Sequence, residues 1–287
     1  MIPAAFAYER PSTVEEALGL LQLHAGSAKL LAGGQSLLPL MKLRVANVER
    51  LIDIGRLAEL RGIRRLSDGR LAVGALTTYR EMLESEDVMR YGLLRDALPG
   101  IADVQVRNRG TIGGSLAHAD PASDMPAIVL ALDAEIAARS VRGRRVIRAV
   151  EFFEGPFQSA LAPDELVTEV ILPAGRDDAG SAYRSLEQPA SGYSIVGVAA
   201  VVFGDAGRLT GASVAITGVS GVAYRATAVE QALAGRPRSG LDLAAASRGA
   251  VGSREVNEDI HADRAYRARM AEVYTRRALE AALARLG

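Results

Sequence analysis

Residues 31–39 read Leu-Ala-Gly-Gly-Gln-Ser-Leu-Leu-Pro, and residues 109–115 read Arg-Gly-Thr-Ile-Gly-Gly-Ser. Neither stretch holds a Cys, a His or a carboxylate, so neither is a catalytic centre. Glycine has no Cβ, which lets a ligand approach the backbone and permits positive φ. Successive N–H groups in such a turn make a concave nest for an anion. Gln35 and Ser36 add an amide and a hydroxyl to the first stretch; Thr111 and Ser115 add two hydroxyls to the second. Two such nests suit a diphosphate better than a single phosphate. A plain tight turn is the alternative for any isolated Gly-Gly pair, and the similar chemistry of the two weighs against it.

The familiar nucleotide signatures are missing. No Gly-x-Gly-x-x-Gly follows the first strand, and there is no Gly-x-x-x-x-Gly-Lys-Ser/Thr, so an ordinary Rossmann site and a P-loop are both excluded. Downstream of the second pair, Asp120-Pro121 reads as loop chemistry. Asp124 falls just before an apolar run, where an N-cap is expected. As functional groups, the two carboxylates suit sugar hydroxyls. His118 is either a ligand contact or a loop histidine.

The surrounding pattern is mixed. Capping-box spacing at Ser12–Glu15 precedes Val14, Ala17, Leu18 and Leu21, an amphipathic helix to about His24. Residues 29–32 and 48–54 read as strands and 36–44 as a short helix, so 1–55 form a small α/β unit. A hairpin around Asp68-Gly69 joins strands 63–66 and 71–76. Helices are expected at 77–83, 91–102 and 125–132. Residues 134–139 and 144–149 pair around Arg142-Gly143, and 166–172 form a strong strand. Periodicity stops at 173–180, a Gly-, Pro- and Asp-rich boundary. Strands follow at 182–186, 193–203 and 208–217, then helices at 227–233 and 264–286.

The 287 residues carry balanced charge, with a formal net charge of zero, which disfavours nucleic acid as a partner. There is no cysteine, so disulfides, cysteine nucleophiles, Cys-ligated zinc and Cys-held iron–sulfur clusters are excluded. The three histidines, His24, His118 and His261, lack metal-ligand spacing. The N-terminus has no signal-peptide pattern, and the longest apolar stretch, 195–203, is too short for a bilayer. A cytoplasmic protein with no transmembrane segment is expected.

Residues 31–44 and 106–126, taken together and in this order, resemble the FAD-binding medium subunit of the molybdenum hydroxylases, the group of carbon monoxide, xanthine, nicotine, caffeine and aldehyde dehydrogenases. Residues 215–226 and 266–279 resemble the same family's C-terminal domain. The resemblance implies an α+β protein: a two-subdomain FAD-binding fold of the vanillyl-alcohol-oxidase (PCMH) type, residues 1–57 and 58–175, followed by a C-terminal domain, 176–287, with a three-stranded antiparallel sheet and helices. It implies that Ala32, Gly33, Gly34, Gln35, Ser36 and Leu37, with Thr111, Ile112, Gly113, Gly114 and Ser115, wrap the FAD diphosphate. Ala117 and His118 would line the same loop, and Asp120 and Asp124 would meet ribityl and ribose hydroxyls. Tyr193 would stack on the flavin ring; its plain alternative is a strand-start aromatic. Arg184 is the remaining basic residue in a stretch that is richer in lysine and arginine in relatives, where this chain has Glu187 and Gln188. Gln35 stands where carbon monoxide dehydrogenases often have His, which leans away from CO oxidation.

The FAD would be non-covalent. Molybdopterin cofactor and [2Fe-2S] clusters would belong to a large and a small partner subunit, in a dimer of heterotrimers, with NAD, a quinone or O2 as acceptor. No residue here would be catalytic toward the organic substrate. The alternatives are a self-sufficient FAD-dependent oxidoreductase on the same fold, which would turn over alone, and a non-catalytic assembly protein, which would bind no flavin.

Overall fold

A computed structural model describes residues 2–287. The first unit is a parallel sheet in which Arg50–Asp53 lies between Ala7–Glu9 and Ala28–Leu31. Parallel neighbours need a crossover, and the helix Val14–Leu23 supplies one. Its start lies one residue later than the Ser12 reading: the Thr13 hydroxyl accepts from the Glu16 N–H at 3.1 Å, and the Glu16 carboxylate accepts from the Ser12 N–H at 2.7 Å. Val14, Ala17, Leu18 and Leu21 are buried as the periodicity requires. The strand Ala28–Leu31 runs straight into the first Gly-Gly turn. That places the turn at the carboxyl end of a parallel sheet, where such sheets hold ligands.

The second unit is an antiparallel sheet in the order Ile63–Arg65, Leu71–Gly74, Leu166–Leu172, Glu135–Ser140, Gly143–Arg148. The Asp68-Gly69 hairpin is present, with Gly69 at φ +84°. Against this sheet packs the helix Ile112–His118, while the helix Asp124–Ala131 shares the same core and lies against the C-terminal strands; Ile112, Leu116, Met125 and Ile128 are fully buried. The expected long helix 91–102 is shorter, Gly92–Ala97 followed by a 3₁₀ turn at Leu98–Gly100, because Pro99 supplies no N–H to continue it.

The C-terminal sheet runs Ala179–Glu187, Ser194–Gly204, Leu209–Thr217 and then Tyr224–Arg225, all antiparallel. The fourth strand adds two residues to the three-stranded sheet expected. Ser194–Gly204 is central and covered on both faces. Val196, Val198, Ala200 and Val202 face one core, which the helix Arg264–Leu283 closes; Ala199 and Val201 face the core of the second unit. This double burial explains the unbroken apolar run at 195–203. The closing helix ends at Leu283, short of 286.

The main departure from the sequence reading is at 112–118. The second Gly-Gly pair is no loop but the first turn of a helix, with Thr111 as N-cap accepting from the Gly114 N–H at 3.2 Å.

Candidate functional site

A cleft of about 900 Å³ runs between the first two units and reaches the start of the C-terminal sheet. Its size suits a large cofactor. Ala32, Gly33, Gly34, Gln35, Ser36 and Leu37 line it from one side; Thr111, Gly113, Gly114, Ser115, Ala117 and His118 line it from the other. Asp120, Asp124 and Tyr193 complete the wall. Ile112 and Arg184 are absent from it.

The two Gly-Gly segments serve differently. The N–H groups of Gly33, Gly34, Gln35 and Ser36 donate to no acceptor among the described residues, a row of donors at the cleft edge. Gly34 makes the turn possible, at φ +76°. In the second segment four successive N–H groups are committed: Ile112 to Thr77 O at 3.1 Å, Gly113 to Ala75 O at 2.9 Å, Gly114 to Thr111 Oγ1 at 3.2 Å, Ser115 to Thr111 O at 3.0 Å; that of Thr111 alone has no acceptor among the described residues. The expectation of two nests therefore gives way to one. The glycines of the second segment meet protein instead: a Cβ on Gly113 would stand 2.5 Å from the Ala75 Cβ. Gly33 is also tight, since a Cβ there would collide with the Arg109 carbonyl oxygen. The two segments lie back to back, and missing side chains let them touch.

The structure corrects three other readings. Asp124 is not an N-cap. Ser123 occupies that position without a side-chain cap bond, and its hydroxyl pairs with that of Ser115 at 3.0 Å. Asp124 is the first helical residue and accepts from Ser194 Oγ at 2.6 Å and from the Tyr183 hydroxyl. Burial pushes its carboxyl up, opposed by those two hydrogen bonds. Arg184 points away, bonded to Asp96 at 2.9 Å. Strand side chains alternate, so Tyr183, not Arg184, reaches Asp124. Ile112 is fully buried in the core.

The remaining wall is specific. Asp120 accepts from the Ala122 N–H at 2.9 Å and lies 3.9 Å from His118 Nε2. Burial lowers the His118 pKa, and Asp120 opposes it. His118 also meets Phe157, with ring centroids 5.2 Å apart. Tyr193 is 43% exposed, its aromatic face available at the cleft. Burial pushes its phenol up, and a hydrogen bond with Ser36 opposes that. Sequence reasoning missed Lys29, Tyr79 and Phe157, which also line the cleft. Lys29 carries a signal: it is one of two lysines in the chain and lies in the strand that runs into the first Gly-Gly turn. Tyr79 and Phe157 have none, because helix and hairpin place them.

Among the described residues no group of His and acidic side chains could hold a metal ion, and no helix is long and apolar enough to cross a membrane.

The family model described as the FAD-binding domain in molybdopterin dehydrogenase matches residues 4–175, and that of the CO dehydrogenase flavoprotein C-terminal domain matches 181–282. The chain belongs to the FAD-binding medium-subunit family of the molybdenum hydroxylases. It is 39% identical over 286 residues to the carbon monoxide dehydrogenase medium chain of Hydrogenophaga pseudoflava, covering 99% of each. A solved chain of carbon monoxide dehydrogenase from that organism superposes with TM-score 0.96 at 41% identity over 100% of both chains. A chain of quinoline 2-oxidoreductase from Pseudomonas putida 86 gives TM-score 0.92 at 31% identity, again over 100% of both. The residues of the cleft fit the cofactor in the family's description: free N–H donors suit a diphosphate, carboxylates suit sugar hydroxyls, and an aromatic face suits a flavin.

Proposed function

We propose that this chain is the FAD-binding electron-transfer subunit of a molybdenum hydroxylase. It accepts electrons from an iron–sulfur subunit and passes them to an external acceptor: NAD, a quinone or O2. A large molybdenum subunit and a small [2Fe-2S] subunit are its partners, assembled as a dimer of heterotrimers in the cytoplasm. Residues 1–57 and 58–175 enclose the FAD and 176–287 close the site. The row of unpartnered N–H groups at Gly33–Ser36 carries this reading, in a cleft whose other wall holds Asp124 and Tyr193.

When bound, FAD exchanges electrons singly on one side and in pairs on the other. The chain's own residues bind and orient it. Ala32–Leu37 take the diphosphate through main-chain donors. Thr111 and Gly113–Ser115 shape the opposite wall, and Ser115 adds its hydroxyl. Asp120 and Asp124 accept from hydroxyls of the ribityl or ribose, and Tyr193 covers the ring. Without cysteine the chain holds no cluster, so its electrons come from a partner.

The test is to purify the chain with its native neighbours and record a visible spectrum. Flavin plus iron–sulfur absorption and two co-purifying chains support the proposal. Flavin on a lone chain that turns over alone would favour a self-sufficient oxidoreductase, and no flavin at all would refute the cofactor assignment.

A further inference from the structure

Asp124 is held from outside its own unit. It belongs to the segment matched by the FAD-binding model, while Tyr183 and Ser194 belong to the C-terminal domain. Both hydroxyls donate to one oxygen, Oδ1, with Ser194 Oγ at 2.6 Å. Oδ2 accepts no hydrogen bond among the described residues, and Asp124 lines the cleft. One oxygen is thus saturated by protein and the other is left to accept from a ligand.

The arrangement is built. On the neighbouring strand a Cβ at Gly197 would collide with the Tyr183 hydroxyl oxygen, so glycine at 197 gives the phenol its room. The same sheet grips the chain just before Asp124: Thr217 Oγ1 donates to Pro121 O at 2.7 Å or Ser123 O at 2.8 Å, Gly218 N–H to Pro121 O at 2.8 Å, and Ser194 N–H to Ala122 O at 3.2 Å. Burial keeps the Tyr183 phenol protonated, hence a donor.

We propose that Tyr183 and Ser194 are positioning residues that clamp Asp124 Oδ1, so that the C-terminal domain aims Oδ2 at a hydroxyl donor of the cofactor. This rests on the FAD reading above. The groups facing Asp124 are Tyr183 and Ser194 from the sheet, Glu187 at the end of the same strand as Tyr183, Tyr79 from its helix, and Tyr193 from the loop before Ser194. Burial and Glu187 favour the neutral acid; the two hydroxyls favour the carboxylate. Loss of the Tyr183 hydroxyl therefore raises the pH below which Asp124 is neutral.

The test uses the full chain with the subunits it purifies with, stripped of FAD and titrated with FAD across pH. Tyr183→Phe removes only the hydroxyl and is expected to weaken binding about tenfold. It should also move the acid-side loss of affinity to higher pH. Gly197→Ala, which displaces the phenol, should do the same. In an Asp124→Ala background Tyr183→Phe should add nothing further, because the clamp then has no oxygen to hold. An equal loss in both backgrounds, or an unmoved pH profile, would overturn the clamp. A wild-type complex that takes up no FAD would instead overturn the functional reading. The clamp is then read by infrared titration of the carboxyl band that disappears in Asp124→Asn: a higher midpoint in Tyr183→Phe supports it, and an unchanged midpoint refutes it.

Discussion

At Gly33 a methyl group would run into backbone, and at Gly34 it would meet only movable side-chain ends but on a left-handed backbone. A Cβ on Gly33 would meet the Arg109 carbonyl, whereas Gly34, at φ +76°, would meet mainly the mobile ends of Leu31 and Leu38. The two alanine variants should therefore differ. Gly33→Ala is expected to cost about 3 kcal/mol through overpacking against backbone, and Gly34→Ala about 1 kcal/mol through strain; denaturant unfolding of each measures this. At the same scale Tyr193→Phe should retain FAD, since it keeps the aromatic face, while Tyr193→Ala should weaken binding about tenfold; fluorescence titration checks both. The cleft-lining residues of the Gly-Gly motifs were legible because they are contiguous. Tyr183 was not. Its neighbour Arg184 looked more like a ligand contact, but strand parity turns the arginine toward Asp96 and the phenol toward Asp124.

Among the elements, Ile112–His118 was the least visible in the residues, because adjacent glycines are poor helix formers. Its cap and its burial override that propensity. Thr111 accepts the Gly114 N–H, Ala119 ends the helix in the left-handed conformation at φ +50°, and Ile112 and Leu116 are fully buried. Thr111→Val is accordingly expected to cost about 1 kcal/mol and to speed amide exchange at Gly114. The check is the melting temperature together with exchange rates; an unchanged Gly114 rate would deny the cap its role. Elements with plain periodicity were readable: Val14–Leu23, Leu166–Leu172 and Thr227–Leu233 match their patterns closely.

Across the whole molecule, Asp96 joins three distant pieces. From the helix Gly92–Ala97 it accepts from Arg285 at 2.8 and 2.9 Å, from Arg184 at 2.9 Å and from the Tyr183 N–H at 3.1 Å. Burial alone would raise its pKa, but the Arg285 and Tyr183 hydrogen bonds and the two guanidinium charges hold it below the usual carboxylate range. A carboxyl depressed in the folded state contributes stability above its unfolded pKa, lost as pH falls through the folded value. Asp96→Asn should therefore cost about 2 kcal/mol at neutral pH, with the difference shrinking as wild type is acidified below the unfolded carboxylate range. Unfolding at several pH values tests this, and a pH-independent difference would refute it.

The order and chemistry of short contiguous motifs pointed to the family and the cofactor class. The absence of cysteine ruled out an iron–sulfur cluster in this chain. Those conclusions need no knowledge of what lies opposite each residue. Which N–H groups stay free, why Gly113 is glycine, and how Asp124 is aimed depend on atoms far apart in the chain. Tyr183 and Ser194 reach Asp124 across 59 and 70 residues. A hydrogen bond is decided by distances of a few tenths of an ångström, and folding sets those distances where local pattern cannot.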